Sequence, residues 1–265
     1  CSLFLCIIAA SNPVETGHAK ASLITNLEIS QQESFYVGIR LEMQEGWHTY
    51  WENPGDSGSP FDASWSVDEG IIVEKVQWPT PVTIPYPPLM TFGYEGDVVF
   101  PYKVFRSLDS KLESISLQLD FLICADICIP ESASLTLDLS PATPNALLNE
   151  AIKDLPINFI QTKSTSDQEN LKVTFQYSEP IESAYLFPRQ DRSFVYMPSQ
   201  KLGQLNDKTY ELSLPLVDSD VNFFSGILSI NGKGFQVEED LQSASGMSLW
   251  QAILFALIGG LILNL

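Results

Sequence analysis

Apolar and polar residues alternate with a period of two in Ser34–Met43 (SFYVGIRLEM), and the pattern returns in 71–78 (IIVEKVQW), 114–123 (SISLQLDFLI) and 134–139 (SLTLDL). Such a chain buries a single face only as a β-strand, because successive strand side chains point to opposite sides of the sheet. Turn formers part these runs, as in Asn53-Pro54-Gly55-Asp56-Ser57-Gly58-Ser59-Pro60, and the proline-rich stretch 79–88 reads as a long non-helical excursion. A second set of strands follows at 171–177 (LKVTFQY), 184–187, 194–197, 210–217 (YELSLPLV) and Phe223–Ile230 (FFSGILSI). Between the two sets Pro141 and Pro144 break the pattern, and 145–155 (NALLNEAIKDL) predicts the one soluble helix, with Asn145 as its cap. The expected fold class is all-β. Two β-sandwich lobes, 22–140 and 156–240, are joined by a linker helix within 141–155.

The 265 residues are 45% hydrophobic and 18% charged, enough apolar material for two folded lobes. A net charge of −19 repels phosphate backbones, so nucleic acid is excluded as a partner. The opening run CSLFLCIIAA is too short to span a bilayer and is halted by Asn12, Pro13 and Glu15, so 1–21 is read as a partial signal peptide. Ala19-Lys20-Ala21 offers a small-x-small cleavage site after Ala21, with Ala10 as second choice. At the other end 249–265 is apolar apart from Gln251 and Asn264, with Trp250 as an interfacial aromatic, and reads as the start of a truncated first transmembrane helix. These ends would place the acidic lobes outside the cytoplasmic membrane.

Cys1 and Cys6 fall in the presumed leader, which leaves Cys124 and Cys128 in Cys-Ala-Asp-Ile-Cys-Ile-Pro. In an exported chain the pair can form a disulfide, serving either as a structural staple or as a redox couple. As a staple it is weak, since closing a loop of about five residues is worth only ~2 kcal/mol against ~4.7 for a 100-residue loop. Zinc needs three or four ligands, and outside the leader only one histidine, His48, remains, in GWHTYW, where it reads as a strand-face residue packed between aromatics. No metal or cofactor site is expected. No nucleophile elbow, Walker loop or dinucleotide-binding glycine pattern occurs.

Residues 121–131 (FLICADICIPE), together with 46–55 (GWHTYWENPG) and 91–101 (TFGYEGDVVFP), resemble the periplasmic N-terminal region of DsbD-type thiol:disulfide interchange proteins, in particular the ScsB-like subgroup named for suppression of copper sensitivity. Residues 249–265 resemble the first membrane helix of that family's electron-conducting core. The resemblance implies immunoglobulin-like lobes and protein-disulfide reductase activity, with Cys124 and Cys128 as the catalytic dithiol. Electrons would come from the protein's own membrane electron-transfer domain and pass to periplasmic disulfide-bearing proteins of thioredoxin-like or isomerase-like kind. It places the chain in the cell inner membrane with 22–248 in the periplasm, and it makes Phe92 and Tyr94 a shielding cap over the cysteines. By the same analogy Cys128 attacks and Cys124 resolves. The three-residue spacing departs from the longer loop of the best-known members. The alternatives are a non-catalytic binding module with a structural Cys124–Cys128 bridge, or a copper-tolerance binding domain, which the low content of Met, His and Cys argues against. No Lys or Arg lies between Lys111 and Lys153, while Asp126 and Glu131 are close in sequence to the cysteines, so local charge disfavours a thiolate.

Overall fold

The computed structural model describes residues 12–243 apart from 28–32, 108, 111–112, 140–142, 168, 191–192, 198–199 and 218–220. The apolar segment 249–265 and the opening run with Cys1, Cys6 and Ala10 lie outside the described residues. Among the described residues no helix is long and apolar enough to cross a membrane. The chain is nearly all β.

The first lobe holds β1 (Val14–Glu15), β2 (Ala19–Thr25), β3 (Ser34–Met43), β4 (His48–Gly55), β5 (Asp62–Ser66) and β6 (Ile71–Lys75). It continues with β7 (Val82–Tyr86), β8 (Leu89–Glu95), β9 (Asp97–Arg106), β10 (Ser114–Cys124) and β11 (Cys128–Asp138). One sheet runs β1-β2-β3-β9-β6; the other runs β11-β10-β4-β8-β7, with β5 also paired to β10. Alternation does what the sequence demands: Phe35, Val37, Ile39, Leu41 and Met43 of β3 are buried, while Arg40 and Glu42 lie on the other face. They meet Ile115, Leu117, Leu119, Phe121 and Ile123 of β10 in one hydrophobic core. Each such side chain contributes roughly 1.5–3 kcal/mol of burial.

The helix α1 (Ala146–Lys153) is capped by Asn145, whose side-chain oxygen accepts from the Leu147 amide at 2.9 Å. It is more than a linker, because Leu148 is fully buried where α1 packs on β3 and β9. The second lobe comprises β12 (Thr162–Ser166), β13 (Asn170–Gln176), β14 (Ala184–Pro188), β15 (Lys201–Asn206), β16 (Thr209–Pro215), β17 (Phe223–Ile230), β18 (Lys233–Asp240) and β19 (Gln242–Ser243). Its sheets are β15-β16-β13-β12-β19 and β14-β17-β18.

Three sequence expectations change. The described strands of the first lobe start at Val14, ahead of residue 22, so a boundary after Ala21 divides β2: Ala19 and Ala21, which read as a cleavage site, are small core residues paired with Met43 and Leu41. The 79–88 stretch holds a strand, β7, and its Pro85 is tolerated because β7 is an edge strand that need not donate on both sides. Residues 194–197 form no strand, only an isolated bridge from Phe194 to Leu216.

The lobes share a packed interface. The Phe92 ring lies edge-on to Tyr185, Phe187 and Tyr196 at centroid distances of 5.8, 5.1 and 4.9 Å, and Trp51 meets Phe187 at 6.1 Å. Beside these rings the buried Asn53 amide donates to the Pro188 carbonyl at 2.7 Å and to the Tyr196 hydroxyl at 3.1 Å. Arg189 reaches back to Glu52 at 2.8 Å. Asn53→Ala removes these two hydrogen bonds between the lobes. It should lower stability by about 1–3 kcal/mol in urea unfolding, whereas an unchanged midpoint would mean the lobes do not lean on this contact.

Candidate functional site

Strands β10 and β11 form a hairpin in continuous register from Ser114 opposite Asp138 to Cys124 opposite Cys128. The cysteines are the last pair before the turn of Ala125, Asp126 and Ile127, and they form a disulfide with a Cα separation of 4.1 Å. Their environments differ sharply. Cys124 is 1% exposed, whereas Cys128 is exposed and follows Ile127, which is 63% exposed at the tip. One sulfur is thus presented to solvent and the other is held beneath it.

Alternation explains what covers Cys124. Ile123 points into the core, so Cys124 takes the outer face, and so does His48, its partner across the strand pair. Tyr50, two residues on, shares that face and is itself 1% exposed. Its hydroxyl sits 3.3 Å from the Cys128 sulfur. Burial raises the Tyr50 phenol above its ordinary pKa, so it stays protonated and can donate to sulfur throughout the neutral range. The 56–60 turn lies directly on this ring: Gly58 has φ +99°, and a Cβ there would fall 2.2 Å from Tyr50 Cε1. Only glycine fits such an approach.

The expected cap is not where Phe92 and Tyr94 lie. Tyr94 is the register partner of Thr49, and Gly93 that of Tyr50, so Gly93 and Glu95 share the disulfide's face while Phe92 and Tyr94 point inward. Phe92, 0% exposed, packs on the second lobe; Tyr94, 5% exposed, packs on Phe100 and donates to the Pro79 carbonyl at 2.8 Å. Both rings are core. Tyr50 was not singled out in the sequence: its 78-residue separation from Cys128 hides the contact, although its alternation with His48 marks a shared face.

Acidic groups surround the site. Glu131 accepts from Thr16 and contacts His18 at 2.7 Å, and His18 stacks on Trp47, so the segment assigned to the leader is clasped to β11 three residues from Cys128. A groove of about 330 Å³ begins two register pairs from the disulfide, with Ser59, Pro60, Asp120, Leu122, Pro130 and Glu131 among its walls.

A hairpin of a two-sheet lobe thus ends on a disulfide with one buried and one exposed cysteine. Residues 19–140, the greater part of the first lobe, match the family described as thiol:disulfide interchange protein DsbD, N-terminal. Among solved structures the chain is similar to the N-terminal periplasmic domain of ScsB from Proteus mirabilis, with a TM-score of 0.68 and 21% identity over 86% of this chain and 95% of that one. That likeness extends the shared fold across both lobes. No curated protein matches the chain.

Phe92→Ala should cost about 3–5 kcal/mol in denaturant unfolding, as for a core aromatic, and leave the oxidation rate of the reduced cysteines unchanged; faster oxidation would restore the cap. Burial lowers the His48 pKa below its usual 6.5, with Glu95 opposing. The folded state therefore binds fewer protons than the unfolded chain in that window, and stability is full above about 6.5 and falls as pH drops through the lowered value. Unfolding at pH near 7.5 and near 5.5 should show a larger acid loss for wild type than for His48→Gln.

Proposed function

We propose that the chain is the periplasmic dithiol/disulfide exchange region of a membrane thiol:disulfide interchange protein, taking electrons from the protein's own membrane core and passing them to oxidised periplasmic thiol proteins. The observation that carries this reading is the asymmetry of the pair, with Cys128 exposed and Cys124 buried at the end of one hairpin. Exchange needs one sulfur to attack a partner disulfide and a second, held close, to resolve the mixed disulfide before a competing thiol does. The family match of residues 19–140 supports the same chemistry. In this reading the cysteines sit in an immunoglobulin-like carrier lobe, Cys128 attacks, Cys124 resolves, and the Tyr50 hydroxyl stabilises the Cys128 thiolate that the acidic surroundings disfavour. The partners are thioredoxin-like or isomerase-like proteins, and the chain is anchored in the inner membrane with its lobes in the periplasm.

A purely structural bridge fits less well. The hairpin is already held by eleven register pairs, so a bridge across a three-residue turn closes a loop worth about 2 kcal/mol. Replacing either cysteine by Ser should therefore leave the fold intact. With a small disulfide as probe, Cys124→Ser should accumulate a mixed disulfide on Cys128, while Cys128→Ser should form almost none. Equal trapping in both variants, or resistance of the wild-type bridge to mild reductant, would leave the staple as the better reading.

A further inference from the structure

The row of side chains that carries the disulfide does not end at the cysteines. Cys128, Cys124, His48 and Glu95 are consecutive register partners across β11, β10, β4 and β8, all on one face. Side chains directly opposite each other in such a row have Cβ atoms about 4.5–5.5 Å apart. A reduced Cys124 thus lies between the sulfur it must attack and an imidazole. The His48 ring also stands edge-on to Tyr50 at 5.3 Å, and the Tyr50 hydroxyl reaches the Cys128 sulfur, so Tyr50 and His48 share the face of the cysteine pair, with His48 the register partner of Cys124.

We propose, resting on the exchange reading above, that His48 is the general base that takes the proton from Cys124 when this thiol resolves the mixed disulfide. Cys124 needs one. It is 1% exposed, so bulk water cannot receive its proton, and burial in apolar surroundings disfavours its thiolate. No Lys or Arg lies anywhere in 112–152 to stabilise the anion instead.

The Cys128 thiolate has attacked the partner disulfide, leaving a Cys128–partner bond and one free partner thiol. His48 accepts the Cys124 proton, and the Cys124 thiolate attacks the Cys128 sulfur. The Cys124–Cys128 bond forms as the Cys128–partner bond breaks, and the departing partner thiolate takes the proton back from the imidazolium. Two electrons have passed to the partner, and His48 is neutral again.

The charged and titratable groups facing His48 are Glu95 from β8, Tyr50 on its own strand and the cysteine pair from β10 and β11; His18, stacked on neighbouring Trp47, is engaged by Glu131. Burial keeps the imidazole in its neutral, proton-accepting form near pH 7, with the Glu95 charge partly opposing.

The test follows the full reduced chain with oxidised glutathione as the partner disulfide, using acid quench and mass spectrometry to time formation and decay of the mixed disulfide. In His48→Gln the decay should slow about 100-fold at pH 7, the usual scale of a lost general base, while formation by Cys128 changes less than about twofold. The pH profile separates this from a structural effect. Wild-type decay should be level through neutrality and fall as His48 protonates; the variant should lack that plateau and rise steadily with pH toward the thiol's own ionisation. Glu95→Gln, a substitution at an exposed site, should move the wild-type fall to lower pH, and it decides the matter if His48→Gln fails to fold. Wild-type decay rates and profile retained in His48→Gln, or an unmoved inflection in Glu95→Gln, would overturn the base assignment alone. A wild-type chain that forms no mixed disulfide would overturn the exchange reading and the inference with it.

Discussion

The register of β10 against its neighbours is the constraint from which the site descends. Pairing Cys124 with Cys128 on one side fixes the disulfide at the hairpin's end, and pairing it with His48 on the other brings β4 alongside. A slip of one residue would turn Cys124 toward the core and Ile123 outward, so the burial of Ile115, Leu117, Leu119, Phe121 and Ile123 holds the sulfur's orientation as firmly as any local contact. Hydrophobic burial, worth many kcal/mol over this strand, thereby positions a group whose own bonding is worth far less.

Electrostatics alone would make this a poor place for a thiolate. Asp126 at the turn, and Glu131 and Glu95 nearby, all work against negative charge on sulfur, and the sequence from 112 to 152 holds no Lys or Arg. What the fold supplies instead is a neutral donor, the Tyr50 hydroxyl, kept protonated by burial and pinned by the turn at Gly58. A neutral hydrogen bond stabilises an anion less than a salt bridge would, but it carries no charge that an oxidised partner must desolvate.

Much of this was legible in the sequence, and the failures share a physical cause. Ser34–Met43 was readable to the residue because one face of β3 is core and the other is not. The helix was readable through its asparagine cap. Phe92 and Tyr94 were misassigned because aromatics between glycines look like a mobile loop; only the pairing of Gly93 with Tyr50 reveals that a continuous strand turns both rings inward. Ala19 and Ala21 misled for a related reason, since small residues suit a peptidase and a tightly packed strand equally well. His48 and Tyr50 could not be connected to the cysteines at all. Their partners lie more than seventy residues away, and register between distant strands leaves no mark on local pattern.

Strand β4 carries two kinds of cargo. Its first residues, His48 and Tyr50, stand over the disulfide; its later ones, Trp51 and Asn53, are gripped by Phe187, Pro188 and Tyr196 of the second lobe. A few residues of one rigid backbone therefore join the exposed sulfur to a lobe that has no cysteine of its own. The second lobe cannot swing without unstacking Phe92 and stripping the Asn53 amide of its partners, so it behaves as a jig. Any protein that reaches Cys128 must do so past a fixed shoulder, and the angle of approach becomes a property of the whole two-lobed chain, not of the hairpin that holds the sulfurs.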